Sequence, residues 1–191
     1  MIDKDQQKNI IVISGPSGVG KDTLMDIIYN KYLEKVHIAI TATTRKPRSN
    51  EKNGVNHYFV DSNKFDQMIQ NNELIEWAQV YENFYGVPHA EIINNLSKNK
   101  KVLIRVDVQG ARRLKKVIEF ATFIFISPES KKDLEKRLEL RHENSEEDIR
   151  KRLNEAESEI NEADWFDYIV VNYPNQTHNA VSELTEIIGL N

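Results

Sequence analysis

Cysteine is absent from this 191-residue chain, and glycine, proline and long apolar runs are scarce. The lack of cysteine excludes disulfides, thiolate metal sites and a cysteine nucleophile, and it fits a reducing compartment. With 7 glycines, 5 prolines and 39% hydrophobic residues, the composition excludes a fibrous or low-complexity protein. No apolar run approaches the length of a membrane span, and residues 1–9 are polar and of mixed charge. We therefore expect one globular domain over residues 1–191, soluble in the cytoplasm and without a membrane partner.

An excess of positive charge is also missing, since the formal net charge is -4. A chain without a basic field attracts nucleic acid poorly, and its aromatic residues do not interleave with a basic stripe. The five histidines show no metal-ligand spacing. We therefore expect no nucleic-acid partner, and any bound anion must be held by local basic groups.

Apolar runs alternate with amphipathic segments along most of the chain. The first run, residues 9–14, is followed by a glycine-rich turn and a helical pattern from 22 to about 33. Four further runs predict strands at 36–40, 102–108, 122–126 and 168–171. Helices are predicted at 109–120 and 130–140. This alternation indicates an α/β fold with a parallel sheet covered by helices on both faces.

Two segments interrupt the alternation. Residues 41–96 are polar, aromatic and turn-rich, with short strands predicted near 57–60 and 75–80, and we interpret them as an inserted second lobe. Residues 137–152 are dense in charge, and Ser145 followed by three acidic residues predicts a helix start. This segment is either a flap that carries arginines or a solvated helical face. The core would then comprise residues 9–40, 97–136 and 153–191.

A phosphate-binding pattern lies between the first predicted strand and helix. Its glycines allow several backbone N–H groups to point at one anion, the helix N-terminus adds its dipole, and the lysine supplies a cation. The alternative, a glycine-rich turn that binds nothing, is disfavoured because the strand and the helix are both in place. The residues of this loop are Gly15, Pro16, Ser17, Gly18, Val19, Gly20 and Lys21.

The hydroxyl residue expected after Lys21 is replaced by Asp22, and a threonine follows only at Thr23. Asp22 could bind Mg²⁺ directly, or it could cap the helix while Thr23 or water serves the metal. We favour the second arrangement, because an anion beside phosphates is tolerable mainly when a cation lies between them.

A second basic pair occurs in the inserted lobe. Arg45 and Arg48 flank Pro47, which stiffens the turn. Two guanidinium groups held in this way suit a phosphate monoester, although a solvated basic turn would have the same composition.

Taken together, the order and spacing of these segments resemble the guanylate kinase family over residues 10–188. The resemblance implies a P-loop kinase with an inserted GMP-binding lobe at 41–96 and an arginine-bearing lid at 137–152. It implies transfer of the terminal phosphate of ATP to GMP in purine metabolism, with Mg²⁺ as cofactor. It leaves open whether the chain is a monomer or a homodimer. The matching segments are 15–21, 43–48, 75–78, 83–86, 107–110, 137–152 and 169–172.

The resemblance also implies roles for individual residues. The GMP phosphate would be held by Arg45, Arg48, Tyr85 and His57. Guanine would be read by Thr41, Glu76 and Asp107. The ATP phosphates would be closed over by Arg137, Arg141 and Arg152, with Asn172 near the adenine side. The chemistry fits, because carboxylates accept from guanine N1–H and N2–H₂ but would face the lone pair of adenine N1.

Four positions depart from the family pattern. His57 replaces a phosphate-binding tyrosine, and Val87 replaces a hydroxyl residue. His142 replaces a glycine in the lid, and Arg105 replaces an acidic residue near the metal. Arg105 would repel Mg²⁺ unless it turns toward the phosphates.

Two alternative functions share the fold. A non-catalytic module could bind a phosphorylated protein segment through Arg45 and Arg48, but such scaffolds commonly lose the phosphate loop that this chain keeps. A sugar-phosphate kinase would suit the Lys21 and Asp22 pair, whereas Glu76 and the basic segment 43–48 oppose it.

Overall fold

A computed structural model of the chain describes residues 2–80, 82–140 and 146–190, without the side chains of Glu146 and Asp148. Its strands are β1 (Ile10–Ser14), β2 (Val36–Ile38), β3 (Ala42–Thr43), β4 (Tyr58–Phe59), β5 (Leu74–Val80), β6 (Asn83–Pro88), β7 (Lys101–Arg105), β8 (Thr122–Pro128) and β9 (Tyr168–Asn172). Its α-helices are α1 (Lys4–Gln7), α2 (Lys21–Lys31), α3 (Ser62–Gln70), α4 (His89–Leu96), α5 (Val108–Lys115), α6 (Lys131–Glu139), α7 (Glu146–Asn161) and α8 (Thr177–Ile188), with a short 3₁₀ turn at Ala163–Trp165.

A parallel sheet forms the centre of the molecule, in the strand order β2-β7-β1-β8-β9. Strand β1 is buried along its whole length, as its unbroken apolar sequence predicts. The α/β class expected from the alternation is therefore confirmed.

The side chains of β1 divide the core into two layers, because successive residues of a strand point to opposite faces. Ile11 and Ile13 pack with the apolar sides of α2, α6 and α8. Ile10 and Val12 pack on the opposite face with residues of α4 and α5. None of the described helices is both long and apolar enough to cross a membrane.

The inserted segment builds a second sheet in the order β4-β3-β6-β5. Its small apolar core contains Phe65 and Met68 of α3 together with Ala42 and Leu74. The two strands predicted here exist as β4 and β5. Strand β3 is only two residues long, too short for a periodic pattern to indicate.

Most predicted strands and helices agree with the structure within a few residues, but one strand is shorter in the structure than the sequence predicted. The strand expected over 102–108 ends at Arg105, because the side chain of Asp107 caps the following helix. Helix α5 therefore begins at Val108 and ends at Lys115, short of the predicted 120.

Candidate active site

The carboxyl ends of the parallel strands gather the candidate catalytic segments at one edge of the sheet. The phosphate loop follows β1, and Arg105 and Asp107 stand at the end of neighbouring β7. Asn172 ends β9 on the other side. Ligands of open α/β sheets bind at such an edge, where the strand order reverses.

At Gly15 and Gly20 the phosphate loop adopts a backbone conformation that favours glycine. Gly15 adopts φ 140°, and a Cβ atom there would overlap the carbonyl oxygen of Ile126 on β8. Gly20 adopts φ 98°, and a Cβ atom there would lie 2.6 Å from the side-chain nitrogen of Asn172. The loop therefore fits tightly against β8 and β9, and helix α2 starts directly after it.

The ammonium group of Lys21 lies against the phosphate loop. It donates hydrogen bonds to the carbonyl oxygens of Gly15 and Pro16, the second at 3.1 Å. Burial lowers the pKa of Lys21 to about 8, while the negative charges of Glu159 and Asp22 oppose that shift. A bound phosphate would add further negative charge and keep the lysine protonated at neutral pH.

Arg137 of α6 and Asn172 of β9 both hold the phosphate loop. Both donate to the carbonyl oxygen of Val19, Arg137 through Nη1 at 3.0 Å and Asn172 through Nδ2 at 2.8 Å. Arg137 also donates to the backbone oxygen of Asn172 at 2.7 Å and forms an ion pair with Asp133. The guanidinium is thus anchored within the described structure beside the start of α2.

Asp22 does not cap the helix as the sequence predicted. The N-cap of α2 is Gly20, with no side-chain hydrogen bond, and Asp22 instead forms an ion pair with Arg105. The negative charge of Asp22 offsets the positive charge of Arg105, which the sequence alone suggested would repel a metal ion. Thr23 lies exposed in the same first helical turn.

The basic turn of the inserted lobe is organised by a carboxylate. Glu51 receives two hydrogen bonds from Arg45, at 2.8 and 2.9 Å, and one from the backbone nitrogen of Arg48 at 2.8 Å. A hydrogen bond with Tyr85 also raises the pKa of Arg45, after the larger contribution of Glu51. Arg45 and Tyr85 are thus brought together, while the side chain of Arg48 is exposed.

Thr41 and His57 face each other in the same lobe. Thr41 Oγ1 and His57 Nδ1 lie 2.7 Å apart, within hydrogen-bonding distance. Burial lowers the pKa of His57 to about 4, with the positive charges of Arg105 and Arg45 acting in the same direction. The ring is therefore neutral at pH 7, and it forms a T-shaped contact with the ring of Tyr85.

Glu76 is buried, with 7% of its surface exposed, and Arg113 of α5 donates from Nε to its Oε1 at 2.7 Å. Burial raises the pKa of Glu76, and the hydrogen bond from Arg113 opposes that rise. The neighbouring carboxylate of Asp107 also raises the pKa of Glu76, so two predicted guanine readers lie close enough to interact. Asp107 Oδ1 accepts from the backbone nitrogen of Gly110 at 2.6 Å.

Among the described residues, Arg152 and Val87 lie outside these clusters. Arg141 and His142 lie outside the described residues, as does Ser145. Arg152 is half-buried on α7. Val87 is buried in the apolar core, 1% exposed, where a hydroxyl group would not suit its surroundings.

The contributions of three residues to the site were not predicted from the sequence: Arg113, Glu159 and Glu51. Glu51 follows the basic turn closely, and its spacing from Arg48 could have indicated it. Burial raises the pKa of Glu159 to about 7, and the positive charge of Lys21 opposes that rise. Glu159 and Lys21 are far apart in sequence, so no local pattern connects them.

Comparison with known proteins identifies the family. Residues 7–190 match the guanylate kinase family. The chain belongs to the guanylate kinase family. The guanylate kinase of Carboxydothermus hydrogenoformans is 40% identical over 179 residues, 94% of this chain and 86% of the relative. That of Malacoplasma penetrans is 36% identical over 190 residues, 98% of this chain and 96% of the relative.

Solved structures agree with this family membership. The crystal structure of guanylate kinase from Anaplasma phagocytophilum has a TM-score of 0.74 and 32% identity, and covers 95% of this chain and 84% of that chain. The SH3-kinase fragment of tight junction protein 3 has a TM-score of 0.55 and 15% identity, covering 96% of this chain and 57% of that one. The second likeness shows the fold alone.

Proposed function

We propose that the chain transfers the terminal phosphate of ATP to GMP, yielding ADP and GDP, through the residues described above. The observation that carries the proposal is the pairing of two sites in one fold. A phosphate loop with its lysine lies at the carboxyl edge of the sheet, and the adjoining lobe gathers Arg45, Tyr85, Thr41 and Glu76. A kinase needs one site for the phosphoryl donor and another for the acceptor.

On the acceptor side, Arg45, Arg48 and Tyr85 would bind the GMP phosphate, and His57 would donate a ring N–H to it. Glu51 supports this role because it holds the Arg45 guanidinium by two hydrogen bonds. Thr41, Glu76 and Asp107 would read guanine. Burial of Glu76 suits specificity, since a buried carboxylate without a matching donor is costly.

On the donor side, the backbone N–H groups of residues 15–21 and the Lys21 ammonium would bind the ATP phosphates. Arg137, Arg141 and Arg152 would close over them, with Asn172 toward the adenine side. Arg137 supports this role because its guanidinium already lies beside Gly20 at the start of α2.

Mg²⁺ fits the oxygen donors at the start of α2, where Thr23 would bind it directly or through water. The described residues contain no cluster of three or more acidic, histidine or cysteine side chains able to hold a metal. Kinases commonly bind Mg²⁺ through one or two protein ligands, with phosphates and water completing the shell. When bound, Mg²⁺ would neutralise charge on the phosphate oxygens. Asp22 is engaged by Arg105, which favours Thr23 as the ligand.

Phosphoryl transfer would proceed in line, through a loose transition state whose charge lies on the peripheral oxygens. Lys21 and the lid arginines would stabilise that charge, while Arg45 and Arg48 would hold the acceptor phosphate in place. No general base is required, because the acceptor phosphate is already ionised. Closure of the lobe would exclude water and so prevent hydrolysis of ATP. The cytoplasmic location, the lack of a nucleic-acid partner and the choice between monomer and homodimer stay predictions.

A coupled assay of ADP release tests the proposal. Purified protein with ATP and Mg²⁺ would be offered GMP, AMP, UMP, CMP or a ribose phosphate in parallel, with Lys21→Ala as the control. We expect release that is stimulated by GMP alone and lost in the Lys21→Ala variant. Stimulation by none of the acceptors, with GMP binding intact by calorimetry, would overturn the enzymatic role.

A further inference from the structure

One contact joins the two parts of the molecule directly at the proposed guanine site. Arg113 extends from α5 on the core, and its Nε donates at 2.7 Å to Oε1 of Glu76 on β5 in the inserted lobe. Glu76 is buried, whereas the Arg113 side chain is 40% exposed. The carboxylate therefore receives a charged partner from outside its own lobe.

The other basic residues of α5 point elsewhere, so the contact is not a general feature of this helix. Arg112 pairs with Glu162 at 2.8 Å and lies over the ring of Trp165. Lys115 pairs with Asp167 at 3.2 Å. Within the described structure, Arg112 and Lys115 thus bind the core, and the neighbouring Arg113 crosses to the lobe.

The surroundings of Glu76 disfavour its ionised form. Burial raises its pKa, the nearby carboxylate of Asp107 adds to the rise, and Arg113 is the group that opposes it. The charge matters for base recognition. An ionised carboxylate only accepts, which suits guanine N1–H and N2–H₂, whereas a protonated one carries an O–H donor that suits adenine N1.

We propose that Arg113 is a positioning residue for guanine recognition: its hydrogen bond fixes Glu76 as an oriented, ionised acceptor for the base. The inference rests on the proposed GMP kinase activity and deepens it. Arg113 itself would touch no substrate atom. It engages Oε1 of Glu76, and guanine would approach the carboxylate from the side of the second oxygen.

The test compares kinetics with GMP and with IMP, whose base keeps O6 and N1–H but lacks the 2-amino group. Loss of a hydrogen bond to a charged group is worth about tenfold in affinity. For Arg113→Ala we therefore expect the KM for GMP to rise about tenfold with kcat nearly unchanged, and the preference for GMP over IMP to shrink by a similar factor. Arg113→Lys, which keeps the charge, should recover part of both. Arg112→Ala is the matched control, one residue away on the same helix, and should leave both values unchanged.

A double-mutant cycle separates positioning from a structural role. Glu76→Gln should itself weaken the preference for GMP over IMP, and adding Arg113→Ala to it should then have little further effect. An undiminished effect in the Glu76→Gln background, or an unchanged GMP to IMP preference in Arg113→Ala, would overturn the inference. So would a lower KM for GMP in Arg113→Ala, since Arg113 would then compete with the substrate. If the unmodified protein shows no GMP-stimulated release of ADP, the failure lies instead with the proposed function.

Discussion

The guanidinium of Arg45 is held by the carboxylate of Glu51 through two hydrogen bonds, from Nη1 at 2.9 Å and from Nη2 at 2.8 Å. Side chains of both residues are largely buried, 18% and 12% exposed. The Arg45 hydrogen bonds lower the pKa of Glu51 to about 2, so this carboxylate is ionised at neutral pH. A fixed guanidinium loses less entropy on binding phosphate than a mobile one would.

Glu51→Gln should therefore weaken binding of GMP. The amide keeps the size of the side chain but loses the charge and one of the two acceptors, so Arg45 is no longer fixed. We expect the KM for GMP to rise about tenfold, with a smaller effect on the KM for ATP. Steady-state kinetics with each substrate varied in turn would measure this. The exposed Glu119→Gln is the control, and equal kinetics in the two variants would contradict the role of Glu51.

Asp22→Asn should affect metal dependence more than stability. The Asp22 and Arg105 side chains are 62% and 32% exposed, and a pair this exposed contributes less than about 1 kcal/mol to stability. Loss of Asp22 leaves the charge of Arg105 uncompensated beside the proposed Mg²⁺ position, so the Mg²⁺ concentration for half-maximal activity should rise. The combined variant Asp22→Asn and Arg105→Ala should return toward the original value. Unaltered Mg²⁺ dependence in the single variant would contradict this account.

The sequence predicted contiguous motifs well, but it could not predict contacts between residues that are distant along the chain, such as Asp22 and Arg105. The phosphate loop was predictable because its residues 15–21 are contiguous and lie between a strand and a helix. The central strands were predictable because burial on both faces produces unbroken apolar runs, as in β1. The same local reasoning treated Arg105 as an isolated repulsive charge. Its partner lies 83 residues away, and only the fold brings them together.

The inserted lobe was harder to predict for a related reason. Strands β3 and β4 have two residues each, so their pairing depends on neighbours in space and not on a periodic pattern. Glu76 was recognised through its motif, but Arg113 was not, because its role depends on the orientation of α5 against β5. The conformations and partners of long charged side chains are decided by tertiary packing.

The lowered pKa of the buried His57 ring predicts that the stability of the fold depends on pH. Its pKa falls from an ordinary 6.5 to about 4 in the folded protein, chiefly through burial. Between these two values the unfolded chain takes up the proton more readily, so the free energy of unfolding should fall as the pH is lowered from 6.5 toward 4. Urea unfolding at pH 7 and pH 5 would measure the loss. Because other groups titrate in this range, the comparison is with His57→Gln, whose loss should be smaller.

Glu91 on α4 connects the core to the inserted lobe and predicts a loss of stability on mutation. Its carboxylate accepts from Tyr58 at 2.6 Å and from the backbone nitrogen of Ile40 at 3.1 Å, and pairs with His37 at 2.6 Å. Glu91→Ala leaves these groups unpaired in a half-buried place, at a cost of about 2 kcal/mol in the free energy of unfolding. The exposed Glu157→Ala is the control, and its loss of unfolding free energy should be much smaller. Similar values for both variants would show that the three contacts do not stabilise the fold.

Gly15→Ala tests whether the phosphate loop needs glycine for space as well as for backbone freedom. A Cβ atom at this position would overlap the carbonyl oxygen of Ile126, which belongs to the central strand β8. Gly189→Ala is a matched control, because Gly189 also has a positive φ, 72°, but has no atom within 4 Å of its added Cβ. The control should lose about 1 kcal/mol of unfolding free energy from backbone strain alone. Gly15→Ala must in addition displace β8 or the loop, so it should lose more stability and most of its affinity for ATP. Equal losses in urea unfolding, with ATP binding retained by calorimetry, would mean that the loop can move away from β8 at little cost.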